Sequence, residues 1–513
     1  MKSRYSMTGK PEKLEDDAKT LAEQWESISW QHVEHEVNRL QTRIAKAQAK
    51  GDVNRAKRLQ YLLNHSFYAK VYAVKKVTSN KGKSTPGVDG KLWTTPASKM
   101  KAVLSLTDKH YQSMPLRRVY IDKKGKKKKR PLGIPTMYDR AMQTLYALSL
   151  EPVAETTADT RSFGFRKGRC AQDACEQAFS VLARKESATW ILEADIESCF
   201  DNISHDWLME NIPMDKTVLK QFLKSGFIHN GELFPTRAGS PQGGAISSLL
   251  ANMTLDGIEK LIQDRYHRSV KGNINSYQRG KTKVNLIRYA DDLVVTAMTK
   301  EIAEEVKELI SQFLYERGLT LSEEKTTITH INNGFDFLGW TLRKFKGKLI
   351  IKPSKKSVKA LVGKLSDIIL KEGKAHTQDT LIIRLNQVLR GWTNYHRHVV
   401  ASQTFSLLDN TMYHMLDRWA KRRHPNKGRR WIKDRYWHTR RGNNWRFMTQ
   451  ENLLISAAGI PVVRHTKLKI SKNPFLDPKY FEQRNLNTKS LRAARNGEEM
   501  LEPYERETLM YGS

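Results

Sequence analysis

Residues 286–295, LIRYADDLVV, set two adjacent carboxylates, Asp291 and Asp292, between two short apolar runs. Runs of this length around a polar pair predict two buried strands joined by a tight turn. Like charges side by side repel, burial penalises both, and an unpaired buried carboxylate ordinarily takes up a proton. Two arrangements resolve the conflict. Either the pair rides on a solvated hairpin turn, where Asp is a common residue, or it holds a cation. In both cases the fold must contain a strand pair whose tip carries two negative charges.

A second acidic segment favours the cation. The apolar stretch WILEADI (190–196) predicts a strand that runs into EADIESCFD, and Asp195 falls at that strand's C-terminal end. From there its carboxylate can reach a neighbouring strand's turn. Three converging carboxylates suit hard divalent ions that take oxygen ligands. Two Mg²⁺ ions about 3.5–4 Å apart would activate an attacking hydroxyl and stabilise a leaving pyrophosphate. Parts suited to nucleotidyl transfer lie near in sequence. Ser240-Pro241-Gln242-Gly243-Gly244 lets backbone approach a substrate, and Gln242 both donates and accepts hydrogen bonds. Lys123, Lys124 and Arg130 are cations suited to a triphosphate. Lys126 to Lys129 read better as a solvated hairpin tip.

Charge narrows the partner. Lys and Arg number 89 against 54 Asp and Glu, a net charge of +35 on 513 residues. The sequence pI is near 9.9 and the mean hydropathy is −0.62. Such a field repels itself unless a polyanion neutralises it, and nucleic acid fits best. An anionic membrane fits less well, because the basic residues are spread along the chain rather than gathered on one amphipathic helix. No apolar stretch approaches the ~20 residues of a membrane span. The N-terminus has no apolar signal core, and its acidic residues argue against a transit peptide, so a cytoplasmic location is expected. Cys170, Cys175 and Cys199 are the three cysteines, without a Cys-x-x-Cys pair. They read as small core residues in a reduced compartment, not as a zinc site.

Along the chain, residues 1–20 read as a mobile leader. Trp30, Val33, Val37, Leu40 and Ile44 have helical spacing, and after Gly51–Asp52 a second pattern runs from Leu59 to Val71. Residues 81–91, KGKSTPGVDGK, predict a loop. Residues 117–135 predict two strands around a lysine-rich tip, and a helix is expected after SPQGG. Mixed strands and helices to about residue 345 indicate an α/β or α+β core. From residue 354 three helical patterns follow, over 358–369, 381–392 and 405–419.

Ordered motifs make the reading specific. TPGVDG (85–90), RPLGIPTMYDRAMQ (130–143), SFGFRKGR (162–169), ADIESCFDNISH (194–205), GSPQGGAISSLLAN (239–252), RYADD (288–292), LSEEKT (321–326) and FLGW (337–340) resemble the reverse-transcriptase blocks of group II intron-encoded proteins. LNQVLRGWTNYHRH (385–398) and RWAKRRHPNKGRRWIKDRYW (418–437) resemble that family's maturase domain. The N-terminal helices and TPGVDG are similar to its chloroplast-like class.

The resemblance implies a right-hand polymerase fold. It divides the chain into an N-terminal helical extension (1–80), fingers and palm (81–345), a thumb and maturase domain (346–447) and a DNA-binding-like tail (448–513). It makes Asp195, Asp291 and Asp292 the carboxylates that hold two Mg²⁺ ions. Phe200 becomes the aromatic gate that leaves no room for a ribose 2′-hydroxyl, so the substrates would be dNTPs. Gln242 would contact the incoming nucleotide, Lys325 would meet phosphate, and FLGW would position the primer. The implied activity is RNA-directed DNA polymerase and intron maturase, with intron RNA, an RNA template and a DNA primer or target DNA as partners.

One departure concerns the nucleotide-binding finger, where the family's YIPK reads YIDKKGKKKKRPLGIP. Asp122 replaces the usual Pro, which leaves Lys123 and Lys124 as alternatives for the triphosphate and Arg130 as the firmer ligand. Many relatives also carry a C-terminal His-Asn-His nuclease with paired cysteines. No cysteine follows Cys199, so that nuclease is expected to be missing, and His465 reads as a surface residue.

Residues 418–446 interleave cations with Trp419, Trp431, Tyr436, Trp437 and Trp445. Cations meet phosphates while aromatic and guanidinium planes stack on unpaired bases. The expected RNA contacts are Arg422, Arg423, Arg429, Arg430, Trp431, Lys433 and Arg435, with Trp419 in the core. Three other readings compete. A non-enzymatic RNA chaperone would not need three carboxylates. A domesticated reverse transcriptase of phage defence or CRISPR spacer capture would not need a maturase segment. A general single-strand-binding protein would need neither Asp195 nor Phe200.

Overall fold

The computed structural model describes residues 11–122, 129–240, 243–269, 271–440 and 442–486. Helix Trp30–Ala49 starts where the Ser29 side chain accepts from the His32 N–H, and Val53–His65 starts where Asp52 accepts from Arg55 at 3.0 Å. The second apolar pattern is two helices, because Ser66 ends Val53–His65 and caps Phe67–Ser79. The expected leader is corrected from residue 11 on, while residues 1–10 lie outside the described residues. Pro11–Glu26 is helical, with Trp25 buried and edge-on to Trp30 at 5.2 Å. Among its described side chains, Leu21 and Trp25 reach the core. These helices pack on Met137–Thr157, where Gln41 Nε2 donates to the Leu148 carbonyl at 2.7 Å.

The fingers hold a mixed sheet. Strand β1 (Leu116–Ile121) pairs antiparallel with β2 (Arg130–Ile134) and parallel with β4 (Phe227–His229), which pairs with β5 (Glu232–Phe234). The TPGVDG loop lies against the start of helix Met137–Thr157, where a Cβ on Gly87 would stand 2.6 Å from Thr136 Cα. Arg140 stitches the two, donating to the carbonyls of Gly82 (3.0 Å), Thr85 (2.6 Å) and Pro135 (2.9 Å).

The palm is an antiparallel sheet of β3 (Trp190–Asp195), β6 (Asn285–Tyr289), β7 (Asp292–Ala297) and β8 (Thr327–His330), in the order β6-β7-β3-β8. Strand alternation sorts its two faces. Leu192, Ala194, Leu286, Leu293 and Val295 join the main core with Val306 and Ile310. Ile191, Ile287 and Val294 join a second core with Ala174, Cys175 and Ala178 of helix Ala171–Leu182. Asp195, four positions after Ile191 on β3, shares its face.

A three-stranded sheet of β9 (Phe335–Phe337), β10 (Trp340–Phe345) and β11 (Lys348–Pro353) follows. Residues 345 and 346 fall at the β10–β11 turn, so this sheet bridges the division expected there. Helices Lys355–Ser366, Gln378–His396 and Ser402–Arg423 form the helical unit around Leu361, Leu385, Phe405 and Leu416. Helix Arg429–Tyr436 and a hairpin of β12 (Trp437–Arg440) and β13 (Asn443–Phe447) complete it. Fingers, palm and this helical region make up the right-hand polymerase fold.

Described residues after 448 enter both cores, and 487–513 of the expected tail lie outside the described residues. Leu454, Ile455 and Ala457 enter the helical core, and Leu468 and Phe481 enter the core behind the palm sheet. No helix of the described residues is long and apolar enough to cross a membrane.

Candidate active site

The hairpin between β6 and β7 turns in two residues, since Tyr289 pairs with Asp292. Ala290 takes φ +57 at the turn, a conformation that costs an L residue and that tight hairpins require. What supports it lies behind. Gly164 of SFGFRKGR presses on the turn so closely that a Cβ there would stand 2.4 Å from Ala290 N. The Phe163 N–H donates to Arg288 O, and the Arg288 N–H to Arg161 O, each at 2.9 Å.

The β3–β7 register sets Asp195 directly opposite Asp292. Opposed residues of an antiparallel pair have Cα atoms about 4.5–5.5 Å apart and side chains on one face. Asp291 lies at the adjacent turn. Two distant segments thus bring their carboxylates to one end of the sheet. The electrostatic result falls on Asp292. Its surface is wetted while protein crowds it from below, and burial, then the charges of Asp291 and Asp195, push its pKa up to about 6 against the opposing pull of Lys325.

LSEEKT reaches the site through its backbone. The Ser322 N–H donates to Asp195 O at 2.8 Å, and the turn Glu323–Lys325 then aims Lys325 Nζ at Asp195 Oδ2, 2.6 Å away. That hydrogen bond is the first cause raising the Lys325 pKa, with burial opposing and the three carboxylates adding. Lys325, expected at phosphate, meets a carboxylate here.

Phe200 lies half-buried beside this end, edge-on to Phe165 at 6.3 Å. It lines a cavity of about 390 Å³ with Arg118, Tyr120, Phe227, Gly239 and Ser240, between palm and fingers. Gly239 has φ +83, and a Cβ there would stand 2.5 Å from Phe200 O, so only glycine lets the 239–240 loop seat Phe200. The Ser240 N–H donates to that same carbonyl at 2.7 Å. Arg118, stacked on Phe227 at 3.8 Å, is a cation of this cavity that the motifs did not single out. Lys123, Lys124 and Gln242 lie outside the described residues. Arg130 pairs through its backbone with Ile121 at the end of the finger hairpin.

Beneath the hairpin lies a buried polar cluster. Arg288, fully buried, pairs with Asp256 and donates to Asn252 Oδ1 at 3.2 Å. Asn252 Nδ2 donates to Gly164 O at 2.8 Å. Three motif blocks, joined by Asp256, therefore meet in one buried cluster. A single Arg between apolar residues, as in LIRY, is the sequence signal that a buried partner exists.

The RNA-contact residues sort by exposure. Arg422, Arg423, Arg429, Arg430, Trp431 and Arg435 are exposed and Lys433 is half-buried. Arg423 stacks on Trp419 at 4.9 Å, and Lys427 stands over Trp431 at 5.4 Å. Trp419, Tyr436 and Trp437 are core; Trp431 and Trp445 are exposed. His465 is corrected. It is largely buried and donates to Asp173 Oδ1 at 2.8 Å, which pushes its pKa up to about 9 although burial opposes. With Cys170 it forms a cluster whose possible ligand atoms lie within 4.8 Å of one another. The Arg484 guanidinium, paired with Asp173 and 3.2 Å from His465, takes the cation's place there. Cys170 thus departs from the core role expected of it, while Cys175 and Cys199 are buried.

Comparison with known proteins agrees with this geometry. Residues 121–342 match the family described as reverse transcriptase (RNA-dependent DNA polymerase), 25–106 the N-terminal domain of reverse transcriptase, and 358–437 the group II intron maturase-specific domain. Group II intron-encoded protein LtrA of Lactococcus lactis subsp. cremoris is 32% identical over 368 residues, 60% of this chain and 60% of that protein. Protein YkfC of Escherichia coli K12 is 34% identical over 301 residues, 52% of this chain and 77% of that protein. Maturase-like protein 1 of Euglena gracilis is 23% identical over 395 residues, 73% and 78% of the two chains. The match thus spans about 60% of LtrA's length. The chain belongs to the family of group II intron-encoded reverse transcriptases and maturases.

Proposed function

We propose that this protein is an RNA-directed DNA polymerase and an intron maturase. It binds its own group II intron RNA to assist splicing and copies RNA into cDNA from a DNA primer during intron mobility. The observation that carries this reading is the opposition of Asp195 and Asp292, with Asp291 at the adjoining turn. Three oxygen donors whose mutual repulsion raises a pKa fit hard divalent ions, and Asp195, Asp291 and Asp292 would hold two Mg²⁺. Bound there, Mg²⁺ supplies activation of the primer 3′-hydroxyl and neutralisation of the leaving pyrophosphate.

The chain's own residues do the rest. The Phe200 ring packs under the sugar and excludes a 2′-hydroxyl, which selects dNTPs. Gln242 contacts the nucleotide, and Arg130 with Lys123 or Lys124 holds the triphosphate. Lys325 balances Asp195 until substrate arrives and then turns its ammonium to phosphate. The exposed cations from Arg422 to Arg435 grip RNA phosphates, with Trp431 available for stacking. Its place of work would be the bacterial cytoplasm, at the nucleoid when DNA is the target.

The test is primer extension on an RNA template together with a splicing assay. Asp291→Ala is expected to abolish synthesis and leave splicing assistance intact. Absence of synthesis by the unaltered protein under Mg²⁺ would overturn the polymerase reading.

A further inference from the structure

Phe165, in the SFGFRKGR block, has φ +57, a conformation that strains a bulky side chain, and it is 58% exposed. Its neighbours hold it there. Gly164 presses on Ala290, and the Arg166 guanidinium donates to Glu155 Oε2 (2.8 Å) and to the carbonyls of Asp159 (2.5 Å) and Ser162 (2.9 Å). Strain and exposure both cost stability. The residue they present lines a cavity of about 430 Å³ between this loop and the N-terminal helices.

Helical spacing builds the other walls. Asn38 and Gln41 come from helix Trp30–Ala49, Tyr72 and Lys76 lie one turn apart on Phe67–Ser79, and Glu151 lies on Met137–Thr157. Pro152 has no N–H to give the Leu148 carbonyl, so Gln41 Nε2 donates there instead. Glu151, half-buried, makes no hydrogen bond or ion pair with a described residue. Burial pushes its pKa up, while Lys167 and Lys76 pull it down from a distance. The other carboxylate of the cavity, Glu34, pairs with Lys75 at 3.5 Å. Glu151 is thus an acceptor to which the protein offers no donor.

The cavity continues into a cationic path. Asn38 and Lys167 also line a second cavity, of about 600 Å³, between helix Trp30–Ala49 and the segment 474–485, and Lys167 Nζ stands 4.8 Å over the Phe475 ring. On its wall Arg39, Arg43 and Lys46 follow at steps of about 4.5–6 Å of helix rise. Arg39 is engaged by Glu36 at 2.7 Å, whereas Arg43 and Lys46 are exposed and have no ion pair among the described residues. We propose that the cavity beside Phe165 captures one unpaired guanine of a bound single strand. The base stacks on Phe165, and its N1–H and N2 amino group donate to the Glu151 carboxylate. The phosphates that follow run past Lys167 to Arg43 and Lys46. Of the four bases guanine alone presents two neighbouring donor atoms on one edge, which a carboxylate accepts with both oxygens. About 430 Å³ suits one nucleoside rather than a base pair. The inference rests on the nucleic-acid-binding reading above and adds a base preference to it.

The test uses the full chain and short pyrimidine strands with one central guanine, adenine or hypoxanthine, made as RNA and as DNA. Binding is followed by fluorescence anisotropy across salt. The unaltered protein should bind the guanine strand about tenfold more tightly than the adenine strand. Hypoxanthine, which keeps N1–H and lacks the amino group, should fall between them. Glu151→Gln should erase the preference and leave binding of an all-pyrimidine strand unchanged. Phe165→Ala should weaken the guanine strand about tenfold, and Phe165→Tyr should restore it. Arg43→Gln with Lys46→Gln should reduce the salt slope by about two and keep the guanine preference. Equal binding of guanine and adenine, hypoxanthine bound as tightly as guanine, a preference that survives Glu151→Gln, or an unaffected Phe165→Ala overturns the assignment while general strand binding stands. The hypoxanthine comparison uses the unaltered chain, so it decides even where a variant fails to fold. A preference confined to the RNA strands identifies the ligand as RNA, and one confined to the DNA strands identifies it as DNA. If no strand binds in a salt-dependent way, the nucleic-acid reading falls together with the cavity assignment.

Discussion

Arg288→Met removes the guanidinium beneath the β6–β7 hairpin while keeping its length. Arg288 is fully buried, and its loss leaves Asp256 as a buried carboxylate without its cation and Asn252 Oδ1 without its donor. Removing one partner of a buried pair costs about 3–5 kcal/mol, most of it the orphaned charge. At about 2–4 °C per kcal/mol for a unit of this size, the palm transition should fall by roughly 6–20 °C. The pH dependence has a fixed sign. Burial already raises the Asp256 pKa, and Arg288 is the first influence holding it down. Without Arg288 that pKa rises further, so the deficit is full above it and shrinks as pH falls and Asp256 takes a proton. Adding Asp256→Leu should recover stability without recovering synthesis, because Arg288 also fixes β6 just before Tyr289-Ala290-Asp291. Thermal unfolding at pH 8 and pH 5, paired with primer extension, measures both effects. A shift under about 2 °C, or a double variant no more stable than the single one, would refute the reasoning.

Phe200→Val should admit rNTPs with little loss of dNTP incorporation; unchanged exclusion of rNTPs in single-nucleotide extension would remove the gate assignment. Because Asp292 titrates near 6 and an ion needs its charged form, synthesis should rise with pH through about 6, and Lys325→Ala should move that limb upward. An acid limb that stays in place would show that another group sets it. The same raised pKa means that Asp292 is without cost to folding below about pH 3.8, that its cost builds as pH rises towards about 6, and that it is full above, so Asp292→Asn should raise the melting temperature at pH 8 while abolishing synthesis. Gly164→Ala, which forces a methyl to within 2.4 Å of Ala290 N, should lower kcat more than it raises KM in primer extension.

The sequence by itself determined the parts whose causes are local. Alternating and helical apolar spacing marked β3, β6, β7 and the helices after residue 354, and the order of the motif blocks carried the family. Two features escaped it. Helix Pro11–Glu26 lies in a stretch crowded with charged residues, which hides its helical spacing. The β12–β13 hairpin sits inside a stretch whose charge, not its alternation, dominates the composition. What only the tertiary structure decided is pairing. Nothing in EADI or YADD states that Asp195 opposes Asp292 rather than a neighbour two residues away; the strand register does. Nor does the sequence say that Arg288, Asp256, Asn252 and Gly164 share one buried cluster, or that Trp437 is buried while Trp445 is half exposed. Each of those outcomes depends on which distant surface arrives to exclude water, and that is fixed only when the whole chain has packed.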